Sequence, residues 1–164
     1  MVSGLLSVPA IIAVTAGLAS LGMRHLLLAL HILFAIFAVG PLVGAASIAA
    51  RGVRAGDAAT VASSARTVRI YGYASILVPL LGMGLVQPKW HAKFSYPWVW
   101  ISLLLYLAAL ALSLLVLAPS LNRAAERLTD GVDARAEGAR AAGAGGLISL
   151  LFAVIVFLMV YKPH

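Results

Sequence analysis

Apolar residues in this chain are grouped into long runs, and short segments rich in arginine separate them. A run needs about 20 residues to cross about 30 Å of hydrocarbon, because an α-helix rises about 1.5 Å per residue. Four runs come close to or exceed this length, at about Leu26–Ala50, Ile70–Gln87, Trp98–Ala118 and Gly145–Tyr161. The pattern predicts an all-α fold: a polytopic transmembrane helical bundle with four core spans.

A fifth uncharged stretch, Gly4–Gly22, is weaker because small residues are frequent in it and Pro9 interrupts it. It is either an extra helix that pairs with the first span, a signal peptide, or translated sequence ahead of a start at Met23. No lysine or arginine precedes its apolar part, which argues against a signal peptide. We therefore predict residues 1–22 as an apolar extension or fifth helix, and residues 23–164 as one four-helix membrane domain.

The basic residues predict the orientation of the spans. The segments 51–69 and 120–144 hold eight of the 12 lysines and arginines and lie on one side of the four-span topology. Lysine and arginine are enriched on the cytoplasmic side of membrane proteins, so both segments are predicted to be cytoplasmic. The aromatic residues agree, because rings favour the membrane boundary and six of them lie at the predicted outer boundary: Trp90, Phe94, Tyr96, Trp98, Trp100 and Tyr161.

Both cytoplasmic segments have the pattern of helices. Asp57 follows a glycine and is a good helix N-cap, and Asp133 can cap a second helix. Charges also recur three residues apart, as in Arg123 with Glu126 and Glu137 with Arg140, so that neighbouring charges partly neutralise each other.

Composition fits a bacterial cytoplasmic membrane protein. The chain is 63% hydrophobic and 10% charged with a mean hydropathy of +1.05, unlike soluble domains, which are about a quarter charged. The net charge of +7 comes from arginines between apolar runs and not from a basic cluster with aromatic residues, so no nucleic-acid partner is predicted. The chain has no cysteine, which excludes disulfides and thiolate metal sites.

Histidine is the residue type with the most chemical interest. His31 lies inside the first apolar run, and His91 lies in the predicted outer loop. Neutral imidazole binds haem iron and copper, so haem b or copper at His31, with His91 as an outer partner, is one hypothesis. The alternatives for His31 are a hydrogen bond to a neighbouring helix and a contact with a quinone or other small molecule.

Helix packing is predicted from prolines and small residues within the spans. Pro41 and Pro79 should each distort a helix, because proline lacks an N–H and clashes with the preceding turn. Small residues let helices approach closely in lipid, either within the bundle or across a homodimer face. The small residues concerned are Gly40, Gly44, Gly82 and Gly84.

Several motifs make the chain similar to a known family. They are Met23-Arg24-His25-Leu26-Leu27, Leu30-His31-Ile32-Leu33, Gly40-Pro41-Leu42, Arg66-Thr67-Val68-Arg69-Ile70-Tyr71-Gly72, the stretch from Phe94 to Ser102 and Val160-Tyr161-Lys162-Pro163. This order resembles the domain of unknown function 2269 family of small bacterial integral membrane proteins, from residue 23 onward. That resemblance implies four transmembrane helices and no established activity. The early Leu-His pair also faintly resembles the copper-resistance D family, but Phe37-Ala38-Val39-Gly40 replaces that family's Trp-x-Gly-Gly.

The spans contain no Asp, Glu, Lys or Arg, and the sequence has no phosphate-loop or hydrolase motif. The first hypothesis is therefore a non-catalytic structural or accessory component of the bacterial cytoplasmic membrane, acting as a homodimer or a subunit of a larger complex. The alternatives are a haem- or metal-binding redox protein that uses His31, and a small transporter or channel.

Overall fold

The computed structural model describes residues 22–87 and 94–161, which form four long helices and no strand. Helix α1 is Gly22–Ala55, α2 is Ala58–Leu85, α3 is Pro97–Thr129 and α4 is Arg135–Tyr161. Each is long and apolar enough to cross a membrane, which confirms the predicted transmembrane helical bundle. Apart from Gly22, the predicted N-terminal extension lies outside the described residues.

Two tight connections lie at one end of the bundle, which we call the arginine end because most arginines lie near it. Gly56 closes α1 with a φ of 69°, and Asp57 begins α2 by accepting a hydrogen bond from the Thr60 N–H. Gly131, with a φ of 71°, turns the chain between α3 and α4, and Asp133 accepts from the Arg135 N–H. The predicted Asp57 cap is confirmed, Asp133 bonds the first residue of α4 from two positions before it, and the segments predicted to be cytoplasmic are mostly helical.

Proline residues coincide with irregular turns in three of the helices. Two π-helical segments each end two residues before a proline. Ala35–Val39 of α1 precedes Pro41, and Ser113–Leu117 of α3 precedes Pro119. In α2 a non-helical turn at residues 75–76 precedes Pro79. A proline ring clashes with the carbonyl four residues earlier, so the backbone in each helix changes its hydrogen bonding one turn before the proline.

The buried core of the described residues lies in the half of the bundle nearest the arginine end. It consists of small and branched residues from all four helices. Glycines bring the helices close together there: a Cβ added at Gly145 would lie 2.6 Å from the Ala46 Cβ, and one at Gly138 would lie 2.7 Å from Val53 Cγ1. The cluster comprises Leu42, Ala45, Ala49, Val61, Ala65, Val68, Leu117, Ala118, Leu121, Ala124, Ala125, Ala134, Ala141, Ala144 and Ile148.

Large apolar side chains cover the outside of the helices. Leu104, Leu115 and Phe157 are among many that are exposed on the surface of the chain. Soluble monomers rarely expose apolar patches of more than a few hundred Å², whereas lipid is a suitable environment for such a surface. The described chain is therefore a multi-pass integral membrane protein.

Candidate functional site

His31 contacts helix α2 in the half of the bundle away from the arginine end. Its Nδ1 lies 2.8 Å from the Val78 carbonyl oxygen, and because a carbonyl only accepts hydrogen bonds, Nδ1 carries the proton. Gly82 makes this approach possible, since a Cβ at that position would lie 3.1 Å from His31 Cε1. This is the interhelical hydrogen bond that was one of the three alternatives for His31. It leaves Nε2 as the acceptor of the ring.

A second polar contact joins α2 to α3 near the same level. The Ser75 hydroxyl donates to the Gly72 carbonyl and lies 2.7 Å from the Tyr106 hydroxyl, and both side chains are buried. Ser75 is part of the irregular turn that precedes Pro79. The proline therefore distorts α2 at the position where that helix makes its polar contact with α3.

Further polar side chains lie on helix α3 between Tyr106 and the N-terminus of that helix. Trp98, Ser102 and Tyr106 follow one another at intervals of four residues, so they share one side of the helix. All three are buried, and among the described residues the Trp98 Nε1 and the Ser102 hydroxyl have no hydrogen-bond partner. Sequence reasoning placed Trp98 at the membrane boundary and did not single out Ser75, Ser102 or Tyr106. The four-residue repeat on α3 was the signal available for Ser102 and Tyr106.

Among the described residues of this region, His31 is a candidate ligand for a metal or haem. His31 resembles a ligating histidine, because such residues usually donate their other ring N–H to a carbonyl or carboxylate. The described residues contain no group of three or more His, Asp or Glu side chains placed to hold a metal ion. His91, the predicted outer partner, lies outside the described residues. A bound haem or copper would therefore need a further ligand from elsewhere.

The glycines singled out from the sequence occupy two different environments. Gly82 and Gly84 face helix α1, where a Cβ at Gly84 would lie 3.7 Å from Leu27 Cδ1. At Gly40 and Gly44 an added Cβ would meet no atom of residues 22–87 or 94–161 within 4 Å. The closest helix contacts of the core instead involve glycines that the sequence analysis passed over: Gly52, Gly72, Gly138 and Gly145.

The acidic residues at the arginine end stabilise the bundle. Glu137 Oε2 on α4 lies 3.5 Å from Arg123 Nε on α3 and 3.6 Å from Arg140 NH1. The predicted pairing of Glu137 with Arg140 is confirmed, whereas Arg123 forms its ion pair with Glu137 across the two helices. Hydrogen bonds from the Thr60 hydroxyl and backbone N–H lower the pKa of Asp57 below its usual range.

Residues 25–163 match the model of a family described as "Predicted integral membrane protein (DUF2269)". The chain belongs to the DUF2269 family. The match begins two residues after Met23 and includes His31, the three irregular turns and the whole arginine end. No curated protein and no solved structure matches the chain. DUF2269 membership thus agrees with the helical architecture and assigns no activity to the polar groups described above.

Proposed function

We propose that this DUF2269 protein is a non-catalytic structural or accessory component of the bacterial cytoplasmic membrane. It associates with a second transmembrane helix through α1, either in a homodimer or in a larger complex. The supporting observation is the face at Gly40 and Gly44, four residues apart, where an added Cβ would meet no atom of the described residues within 4 Å. Small residues at this spacing allow helices in lipid to approach closely, and the part of the chain that the structure describes leaves this approach unused.

The neighbouring surface of α1 is apolar and accessible. Ile36, Phe37 and Ile48 are each more than two-fifths exposed and lie near the glycine pair along the helix. A partner helix would pack its side chains between these residues, with the glycines at the point of closest approach. The acidic residues described at the arginine end, by contrast, cap helices or form ion pairs, which are structural roles.

Association can be tested with Gly40→Leu and Gly44→Leu. The tagged proteins are expressed at low level, extracted in mild detergent and analysed by size-exclusion chromatography with light scattering and mass spectrometry. We expect the wild type to elute as a homodimer or at fixed stoichiometry with one partner, and each variant to lose that association. Ala108→Leu, on the exposed surface of α3, is the matched control and should behave like the wild type. A monomeric wild type with no stoichiometric partner contradicts the proposal.

A second candidate function is ligand binding at His31, which the geometry of the ring favours. With Nδ1 protonated and bonded to Val78, Nε2 is suited to accept a hydrogen bond or to bind haem iron or copper. The test is an absorption spectrum and a metal assay of the purified protein and of His31→Ala. A Soret band or bound copper that disappears in the variant supports this function, and a colourless, metal-free wild type rejects the redox form of it.

A further inference from the structure

Helix α2 presents arginines and apolar residues on the same exposed side. Arg66 and Arg69 are exposed, and so are Ile70, Tyr73 and Leu77, which follow at helical spacing toward the membrane interior. Residues separated by three, four or seven positions share one side of a helix. The surface formed by these five residues, which we call the α2 stripe, therefore leads from charged to apolar side chains, with Leu77 just beyond the irregular turn at residues 75–76.

The apolar part of α2 is too short to cross the hydrocarbon alone. Residues 70–85 extend over about 24 Å at about 1.5 Å per residue, whereas the hydrocarbon layer is about 30 Å thick. The shortfall of about 6 Å corresponds to roughly four residues, which is the distance along the helix from Ile70 back to Arg66. With the C-terminal end of α2 at the far edge of the hydrocarbon, this arithmetic places the backbone of residues 66–69 at its near edge, beside the headgroups.

The direction of α2 lets both arginines reach the headgroups. Side chains on a helix tilt toward its N-terminus, and the N-terminus of α2 is at the arginine end. The guanidinium groups of Arg66 and Arg69 can thus extend from the hydrocarbon edge toward the water. The ion pairs of the described residues involve Arg123, Arg135 and Arg140, so the charges on the α2 stripe are available to an external anion.

We propose that Arg66 and Arg69 bind the phosphate of an anionic phospholipid, with its acyl chains lying along Ile70, Tyr73 and Leu77. Arginine suits this ligand because its guanidinium forms paired hydrogen bonds with phosphate oxygens. The apolar remainder of the α2 stripe selects a lipid over a free anion, since only a lipid supplies chains to cover it. Lipid binding here does not depend on association through Gly40 and Gly44 of α1.

The test is a comparison of two double variants that each remove two positive charges. R66Q/R69Q removes the charges of the α2 stripe, and R54Q/R135Q removes two exposed arginines elsewhere at the same end. Each protein is titrated with phosphatidylglycerol and with phosphatidylethanolamine, and retained lipid is counted by native mass spectrometry. We expect the preference of R66Q/R69Q for phosphatidylglycerol over phosphatidylethanolamine to fall roughly tenfold. The same preference of R54Q/R135Q should stay within about twofold of the wild type.

A third variant, R66K/R69K, keeps the charge and should retain most of the preference, which separates loss of the headgroup contact from misfolding. Equal losses in both glutamine variants would show a diffuse charge effect and overturn the proposal. Unchanged selectivity in R66Q/R69Q would also overturn it. Inorganic phosphate is added as a competitor: if it displaces phosphatidylglycerol at matched concentration, the arginines bind phosphate as such and the lipid assignment is wrong.

Discussion

Glycine has opposite roles at adjacent positions of helix α4. A Cβ added at Gly145 would lie 2.6 Å from the Ala46 Cβ of α1, closer than side chains can approach, whereas one at Gly146 would meet no atom within 4 Å. The two residues are equivalent in the sequence, because each lies in the same run of small residues. Their difference arises from the side of the helix on which each lies, so it depends on how α4 is rotated against α1.

Gly145→Ala should therefore destabilise the protein, because α1 and α4 must move apart to accept the methyl group. Overpacking of this kind costs about 1–3 kcal/mol of unfolding free energy. Gly146→Ala should be neutral or stabilising by up to about 1 kcal/mol, since alanine is the better helix former. Thermal unfolding of both variants in the same detergent measures the difference. Equal melting temperatures would show that α1 and α4 are not packed as described.

At the level of the element, helix ends and irregular turns follow local sequence rules. Asp57 begins α2 as an N-cap, and Pro41, Pro79 and Pro119, which lie in helix interiors, each follow an irregular turn. These features were accessible from the sequence because they depend on backbone hydrogen bonds within a few residues. The partner of Arg123 was not accessible, because Glu126 is near in sequence but Glu137 is the residue that α4 brings to it.

The Asp57 cap predicts a pH dependence of stability. Hydrogen bonds from the Thr60 hydroxyl and N–H lower its pKa below the usual value of 3.8, so folding favours the charged carboxylate. The resulting stabilisation is complete above the unfolded pKa and is lost as the pH falls through the lower folded pKa. Asp57→Ala should lower the melting temperature at pH 7 and reduce the additional loss at acidic pH.

Asp57→Asn is the matched control, because asparagine also caps helices but does not titrate. Its melting temperature should stay close to that of the wild type at pH 7. As the pH falls, its melting temperature should decrease less than that of the wild type, because the Asp57 contribution is missing. Melting temperatures of the three proteins measured from pH 7 to pH 3 test this. If Asp57→Ala melts like the wild type at pH 7, the carboxylate does not stabilise the start of α2.

At the level of the whole molecule, the two halves of the bundle differ in packing and chemistry. Near the arginine end, small residues and ion pairs hold four helices around one core. In the other half, two polar contacts join pairs of helices, His31 with Val78 and Ser75 with Tyr106. The positive-inside rule predicts that the arginine end lies in the cytoplasm. This one orientation sets the side of the membrane on which each end of the four helices lies.

Orientation can be measured with single cysteines, since the chain contains none. Ala55→Cys and Val132→Cys lie at the arginine end, and Met23→Cys lies near the other end of α1; all three positions are exposed. A membrane-impermeant maleimide applied to intact cells should label Met23→Cys and leave the other two unlabelled until the membrane is opened. The reverse pattern would place the arginine end outside and contradict the predicted topology.

The sequence by itself determined the four membrane helices of the described residues, their approximate limits and the Asp57 cap at the arginine end. These properties follow from the length of apolar runs and from hydrogen bonds between near neighbours, which any rotation of the helices leaves unchanged. Only the tertiary structure decided which glycines pack closely, that His31 bonds to Val78 and that Ser75 meets Tyr106. In lipid, apolar residues suit every side of a helix, so hydrophobic periodicity does not set its rotation and the fit of side chains between helices must do so.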